Sequence, residues 1–527
     1  MNLDGDRTHE LVEDGFELLT NLDHRGARGA EEQTGDGAGM LLQKPHAFFD
    51  ATVDDLPGFD GYAVGQAFFP RDERARAEVS DVVADVAADE GFEVLAWRDV
   101  PTDESDLGAS ARETEPAVVQ FFVAPSDDRD PTPTDLDSST YVLRRAIETA
   151  VDDRDPRGAD RFYVCSLDRR TVVYKGLLTN AQLRTYYPDL GDERVRSSLV
   201  FVHARFSTNT LGSWELAHPF RNIVHNGEFN TLRGNLNWMR AREATLAPPG
   251  EAGGPDGSTV ERTLTESDLE TITPVTHADQ SDTAVVDNVL ELLTEGGREM
   301  THALRMLIPE AWERNDRLPS EREAWYRYHS TINEPWDGPA LVVCTDGTGV
   351  AAVLDRNGLR PCRYHVTADD RLVMASETGV LNTDPAHIVE KDRLKPGQMF
   401  YADPERGVVS DEALFDDLTD DRYGEWLDAS QVELGEVDDA DPPVYYSPEE
   451  DLLPYQRTFG YTLEHLERLV EPMAEEGKDP VGAMGNDTPL SVLSSRNKTL
   501  FTYFKQLFAQ VSNPPIDYIR EEVVTSL

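Results

Sequence analysis

The charge balance constrains this chain more than any other feature. Of 527 residues, 100 are Asp or Glu and 49 are Lys or Arg, a formal net charge of −51. Binding driven by phosphate neutralisation is excluded, and so is docking on anionic membranes. The apolar share is 39% with 8% aromatic residues, so the chain is no disordered acidic polymer and can bury real cores. At roughly 100–200 residues per domain, three or four domains fit. Only seven of the basic residues are lysines, and the acid is spread along the chain rather than massed in a tail. That pattern suits the solvated surface of a protein from a very salty cytoplasm, where molar salt shortens the Debye length to about 3 Å and mutes self-repulsion. No apolar run approaches the ~18 residues a membrane span needs. The opening Met1-Asn2-Leu3-Asp4-Gly5-Asp6 has neither the basic nor the apolar region of a secretory signal. Cys165, Cys344 and Cys362 show no disulfide framework and no CxxC, so a reducing, cytoplasmic setting is expected, and no metal site is.

Short apolar or β-branched runs predict strands over 62–69, 117–124, 162–167, 199–206 and 372–376. Runs over 340–345 and 349–354 flank Asp346-Gly347-Thr348 and predict a hairpin. Three-to-four spacing predicts helices over 283–293, 324–332 and 463–470, and Thr8 is placed to cap a helix carrying Leu11, Phe16, Leu18 and Leu19. Stretches 125–137, 247–258 and 436–450 are rich in Pro, Gly and acid and read as insertions or linkers. Sheets covered by helices, an α+β layered arrangement, follow from this pattern.

Four short stretches carry candidate chemistry. Thr34-Gly35-Asp36-Gly37-Ala38-Gly39, after His24-Arg25-Gly26, allows close backbone approach to a ligand, or is a turn; the P-loop lysine is missing. Arg205, in His203-Ala204-Arg205-Phe206-Ser207, ends a strand and can hold a carboxylate by two parallel hydrogen bonds, or form a surface ion pair. In His225-Asn226-Gly227-Glu228, the Asn226 amide and the Gly227 N–H can aim at one developing negative charge, or simply make a hairpin turn. Ser281-Asp282 precedes a helix that either residue could cap, and Asp282 could also accept from a ligand ammonium.

In this order, the stretches resemble the amidotransferase region of the glutamate synthase large subunit, a class II glutamine amidotransferase. The match runs through 24–30, 34–39, 205–209, 225–229, 281–283 and 355–361 (Asp355-Arg356-Asn357-Gly358-Leu359-Arg360-Pro361), and then through 487–490, 503–511, 513–517 and 519–522. The tail selects glutamate synthase over other class II amidotransferases, a phosphoribosyl-type enzyme among them. The resemblance implies an N-terminal-nucleophile hydrolase fold, a four-layer αββα sandwich over 1–403. A linker over 404–450 and a mainly helical start of the central domain over 451–527 would follow. It implies that Arg205 holds the α-carboxylate of glutamine, that Asp282 holds its α-ammonium, and that Asn226 with the Gly227 N–H forms the oxyanion hole. Glutamine hydrolysis would supply ammonia for glutamate synthesis from 2-oxoglutarate. FMN and an iron–sulfur cluster would belong to a further region of the family, not to these residues, and the remainder of glutamate synthase is the expected partner.

One departure stands out. The resemblance implies a nucleophilic Cys that opens a Cys-Gly-Val-Gly segment and uses its own α-amine as base. Here the chain opens Met1-Asn2-Leu3-Asp4-Gly5, and Cys165 is the first cysteine. The expectation is a chain without that first strand, by truncation or a misplaced start, and without glutaminase activity as written. A non-catalytic glutamine-binding module is the alternative.

Overall fold

The computed structural model describes residues 1–26, 31, 33–126, 133–205, 212–243, 264–277, 280–419, 421–432, 448–477 and 491–503. The stretch 247–258 and the tail motifs at 487–490 and 503–522 therefore lie outside the described residues, apart from Tyr503. The chain divides into two compact units, Met1–Ala429 and Ser430–Leu527.

The first unit holds the strands β1 (Ala38–Gln43), β2 (Ala63–Phe69), β3 (Phe92–Asp99), β4 (Ala117–Pro125), β5 (Tyr163–Asp168), β6 (Thr171–Gly176), β7 (Val200–Ala204) and β8 (Ile223–Gly227). It continues with β9 (Ala340–Thr345), β10 (Val350–Leu354), β11 (Arg363–Thr367), β12 (Leu372–Ala375), β13 (Ile388–Arg393), β14 (Met399–Asp403) and β15 (Gly407–Val409). The predicted strands are all present. The predicted hairpin is β9–β10, antiparallel, with Thr345 opposite Val350. The helix predicted after Thr8 is Glu10–Asn21, and the Thr8 hydroxyl accepts from the Leu11 N–H at 3.3 Å. The stretch read as a linker from 125 is already helical at Pro133, where the helix Pro133–Arg154 begins.

Two sheets form the centre, β6-β1-β7 and β15-β14-β10-β9-β8, both antiparallel. Side chains alternate between the two faces of a strand. Leu41, Val173 and Phe201 of the first sheet meet Leu341, Val343, Ala352 and Phe400 of the second in one buried cluster. The next residues along each strand point the other way. Met40, Leu42, Val172 and Tyr174 pack on Val12, Phe16 and Leu19 of the helix Glu10–Asn21. Val342, Cys344, Ala351 and Val353 pack on the helices Asp282–Glu295 and Met300–Leu307. The order helix, sheet, sheet, helix is the expected αββα sandwich. Burial on both faces explains why β9 and β10 read as unbroken apolar runs.

A further sheet, β3-β4-β2-β5, carries the helices Glu73–Asp89 and Pro133–Arg154 on one face. Buried ion pairs fasten this lobe to the sandwich. Burial works against the Glu148 carboxylate, but Arg144, Arg221 and Arg145 hold it down to about 2. Arg144 also pairs with Glu291, and the Arg221 N–H donates to Asp287 at 3.1 Å. The stretch 404–429, expected as the first part of a linker, is folded. The helices Asp411–Leu418 and Arg422–Ser430 bury Leu414, Phe415, Leu418, Tyr423 and Trp426 in the cluster under β9 and β10. Its dense acid hides an apolar face of helical period. In the second unit, the helix Pro448–Thr458 is followed by a continuous helical stretch over 463–476, of which Leu466–Val470 is π-helical. No helix among the described residues is long and apolar enough to cross a membrane.

Candidate functional site: a cavity between the two central sheets

A cavity of about 460 Å³ opens between the central sheets, lined among others by His203, Arg205, Asn226, Gly227 and Arg360. Its deeper wall is apolar, with Phe201, Val202, Leu341 and Val343. Met1 lines it too, its backbone pairing with Leu372 at 2.8 and 2.9 Å.

Arg205 owes its place to the glycine-rich stretch. β1 and β7 pair with Ala38 opposite Ala204. One residue further on, the Arg205 N–H donates to the Gly37 carbonyl at 2.8 Å. The Arg205 backbone is left-handed, with φ +89°, and Gly37 opposite has φ +96°. A non-glycine residue in that region is unusual, and Arg205 lines the cavity from this position. Asp36 lies 4.0 Å from Arg205 Nε. The stretch 34–39 thus acts as a turn that positions Arg205.

Asn226 and Gly227 end β8, where Gly227 faces Ala340. The Asn226 Nδ2 amide is shielded from solvent and meets no acceptor among the described residues. A buried donor left unmatched costs about 1–3 kcal/mol unless a further group supplies the acceptor. Gly227 has φ +138°, and a Cβ there would stand 1.8 Å from the Pro339 carbonyl. Only glycine fits. The same Pro339 carbonyl accepts from the Glu228 N–H at 3.3 Å and from Arg360 Nε at 3.1 Å. Arg360 follows a turn organised by Asp355, whose carboxylate accepts from the N–H groups of Ala340, Asn357 and Leu359 at 3.1, 2.9 and 3.2 Å. Arg360 was legible as part of a motif but not as a wall of this cavity.

Asp282 is buried at the first turn of the helix Asp282–Glu295, which Ser281 caps. It does not line the cavity. Its carboxylate accepts from its neighbour Thr283 N–H at 2.9 Å and from the Phe229 N–H at 2.8 Å, two residues beyond Gly227. So Arg205, Asn226 and Gly227 share one cavity, and Asp282 braces the turn that carries two of them.

Three histidines escaped sequence reasoning as a group. His203, His218 and His225 cluster behind Asn226, with one ring nitrogen from each within 4.8 Å of the others. Burial drives His203 and His218 well below the ordinary imidazole range and His225 down to about 4, so all three are neutral at pH 7. The first signal was present in the His-Ala-Arg and His-Asn-Gly stretches, but nothing in the sequence ties His218 to them.

None of the three cysteines lines the cavity. Cys165, Cys344 and Cys362 are buried in three different clusters. Burial pushes the Cys165 and Cys362 thiols up to about 12 and Cys344 well above its usual value. The thiols present do not fit an iron–sulfur cluster, since they do not face one another.

Residues 1–426 match the family described as glutamine amidotransferases class-II, and residues 454–527 match the glutamate synthase central domain. The chain belongs to the class II glutamine amidotransferases. Within them, the pairing of these two domains places it with the N-terminal part of glutamate synthase large chains. It is 44% identical over 529 residues to the glutamate synthase [NADPH] large chain of Bacillus subtilis (strain 168), covering 100% of this chain and 33% of that protein. It is 40% identical over 551 residues to the glutamate synthase [NADH] of Saccharomyces cerevisiae, covering 100% of this chain and 25% of that protein. The chain thus spans a quarter to a third of the length of the relatives it matches. A solved glutamine phosphoribosylpyrophosphate amidotransferase from B. subtilis is 13% identical with a TM-score of 0.23, covering 66% of this chain and 48% of that one, a likeness too slight to carry an argument.

Proposed function

We propose that the cavity holds glutamine, and that this chain is the glutamine-handling part of a glutamate synthase. Arg205 takes the α-carboxylate, a fork of donors matched to two oxygens. Asn226 Nδ2 and the Gly227 N–H face the side-chain amide oxygen, where negative charge develops when that carbonyl is attacked. Losing one such donor typically costs about 2.7–4 kcal/mol of transition-state stabilisation. Asp282, which does not line the cavity, keeps the oxyanion turn in place through Phe229. The observation that carries the reading is the Asn226 amide, buried without an acceptor at the wall that Arg205 shares. In this reading ammonia passes to 2-oxoglutarate chemistry on other parts of a glutamate synthase, and FMN and the iron–sulfur cluster belong there. Cys165, Cys344 and Cys362 do not open into the cavity, so none of these three thiols attacks a glutamine bound there. The chain works in a salty cytoplasm, in keeping with its net charge of −51.

Calorimetry with glutamine in molar KCl, beside an ammonia-release assay, tests this. The expected result is saturable binding, lost in Arg205→Ala and weakened in Asn226→Ala, with no ammonia above background. Binding that ignores both substitutions would overturn the site. Ammonia release above background would overturn the claim that no thiol of these residues attacks glutamine.

A further inference from the structure

The histidine cluster has no part in the glutamine reading, and its chemistry points elsewhere. His203 ends β7, His225 lies on β8, and His218 comes from the connection between them. The topology brings all three to one spot although the chain spaces them irregularly. His225 Nε2 stands 3.0 Å from His218 Nε2, and the His203 ring stacks on that of His218 with centroids 4.4 Å apart. Other partners of these rings include the Thr283 hydroxyl, 3.2 Å from His218 Nε2, the His225 backbone N–H, 3.4 Å from His203 Nδ1, and the backbone of Arg205 and Gly227, which act on His203 and His225. No carboxylate takes part in these contacts.

The cluster is incomplete as a purely protein arrangement. His218 Nδ1 and His225 Nδ1 are shielded from solvent and neither meets a partner at ordinary hydrogen-bond geometry among the described residues, although the Gly227 backbone acts on His225. Two neutral rings facing each other through Nε2 can share only one proton between them. If His225 donates, His218 must carry its proton on a buried Nδ1 with no acceptor among the described residues. Two lone pairs about 3 Å apart, with a third nitrogen close by, match the edge of a metal polyhedron. Bonds of about 2.0–2.1 Å at a tetrahedral angle put ligand nitrogens roughly 3.3 Å apart.

We propose that His203, His218 and His225 bind one divalent transition ion of the zinc and cobalt class, through one imidazole nitrogen each. Imidazole sets favour zinc, copper and nickel over the hard cations that oxygen-rich sites take. His203 and His225 line the 460 Å³ cavity and His218 does not, so the fourth position points to the cavity and takes water or a small ligand. The ion would sit behind Asn226 and fix the ring of its neighbour His225. The site stands on the histidines alone and does not depend on glutamine binding.

The test is titration of the chelator-treated chain with Co²⁺ in molar KCl, where surface acid competes least. One ion per chain with the intense visible bands of a tetrahedral nitrogen site is expected. His218→Gln should lower affinity at least about tenfold, as should His225→Gln, with thermal midpoints close to wild type in the absence of metal. Only the weak bands of octahedral oxygen ligation, or affinity unchanged in both variants, would overturn the proposal. Should either variant fail to fold, X-ray absorption on the wild-type chain decides: a shell of three imidazole nitrogens upholds the site, and an all-oxygen shell ends it. Glutamine binding to the metal-free chain separates this outcome from the glutamine reading, since it can persist whichever way the metal result falls.

Discussion

The Asp282 carboxylate accepts a hydrogen bond from the Phe229 N–H at 2.8 Å, joining residues 53 positions apart. It ties the start of the helix Asp282–Glu295 to the turn that follows Gly227. A charge-assisted bond of this kind contributes roughly 1.5–3 kcal/mol. Asp282→Asn keeps the shape but removes the charge. It should lower stability by about 1–2 kcal/mol and weaken glutamine binding at least tenfold, read by thermal unfolding and calorimetry. Unaltered stability and glutamine affinity would show that the bond to Phe229 does not hold the turn.

Gly227 gives a sharper steric test. A Cβ at this residue would stand 1.8 Å from the Pro339 carbonyl, with φ at +138°. Gly227→Ala must shift the β8–β9 connection, at a cost of about 2 kcal/mol or more. The variant should unfold at a lower temperature and bind glutamine poorly. A wild-type midpoint would show that the turn can relax, and would weaken the claim that the Gly227 N–H is held in place.

One hairpin of the sandwich was legible because β9 and β10 are buried on both faces, so 340–345 and 349–354 read as apolar runs whatever their partners; β1, β6 and β8, with their Gly, Gln, Lys, His and Asn, did not. The helix at 411–418 was not, because Asp411, Glu412, Asp416 and Asp417 mask Leu414 and Phe415 in a stretch that looks like acidic linker. At the site, Arg205, Asn226 and Gly227 stood out by resemblance and local chemistry. His218 did not, because its meeting with His203 and His225 depends on how β7 and β8 lie in two different sheets.

The three thiols offer a prediction in chemical reactivity. Burial keeps Cys165, Cys344 and Cys362 protonated, and the thiolate is the reactive form. Iodoacetamide at pH 8 should modify none of them in the native chain and all of them in denaturant, counted by mass spectrometry. Fast native labelling of Cys362, which follows Arg360 and Pro361, would contradict its packing against the inner faces of the central sheets.

His302 carries a pH prediction. Its Nε2 stands 2.8 Å from His329 Nε2, while His329 Nδ1 donates to the Trp325 carbonyl at 2.7 Å. His329 therefore accepts at Nε2, and His302 donates. Burial, with Arg298 and Arg422 adding repulsion, lowers His302 from 6.5 to about 3. Between those values the unfolded chain binds a proton that the folded chain refuses, so this contribution is complete above pH 6.5 and is lost as pH falls toward 3. His302→Gln keeps a donor for His329 and removes the titration. From pH 7 to pH 4, wild type should lose on the order of 2 kcal/mol more unfolding free energy than the variant. Parallel pH profiles would show that His302 can protonate in place.

The net charge of −51 makes the last prediction. Repulsion among dispersed surface acids is long-ranged at low salt, where the Debye length is about 10 Å at 0.1 M, and is cut to about 3 Å at 1 M. Buried pairs such as Arg144 with Glu148 and Arg98 with Asp189 are shielded from that change, so screening acts on the surface and favours the compact state. The unfolding midpoint should climb steeply between 0.1 and 1 M KCl. Salt can also strengthen apolar burial, and a neutral osmolyte separates the two effects, because it is excluded from the surface without screening charge. Sucrose at matched osmolality should reproduce only a small part of the rise. A midpoint equal at both KCl concentrations, or a sucrose effect as large as that of KCl, would show that the acidic surface is tolerated rather than adapted to salt.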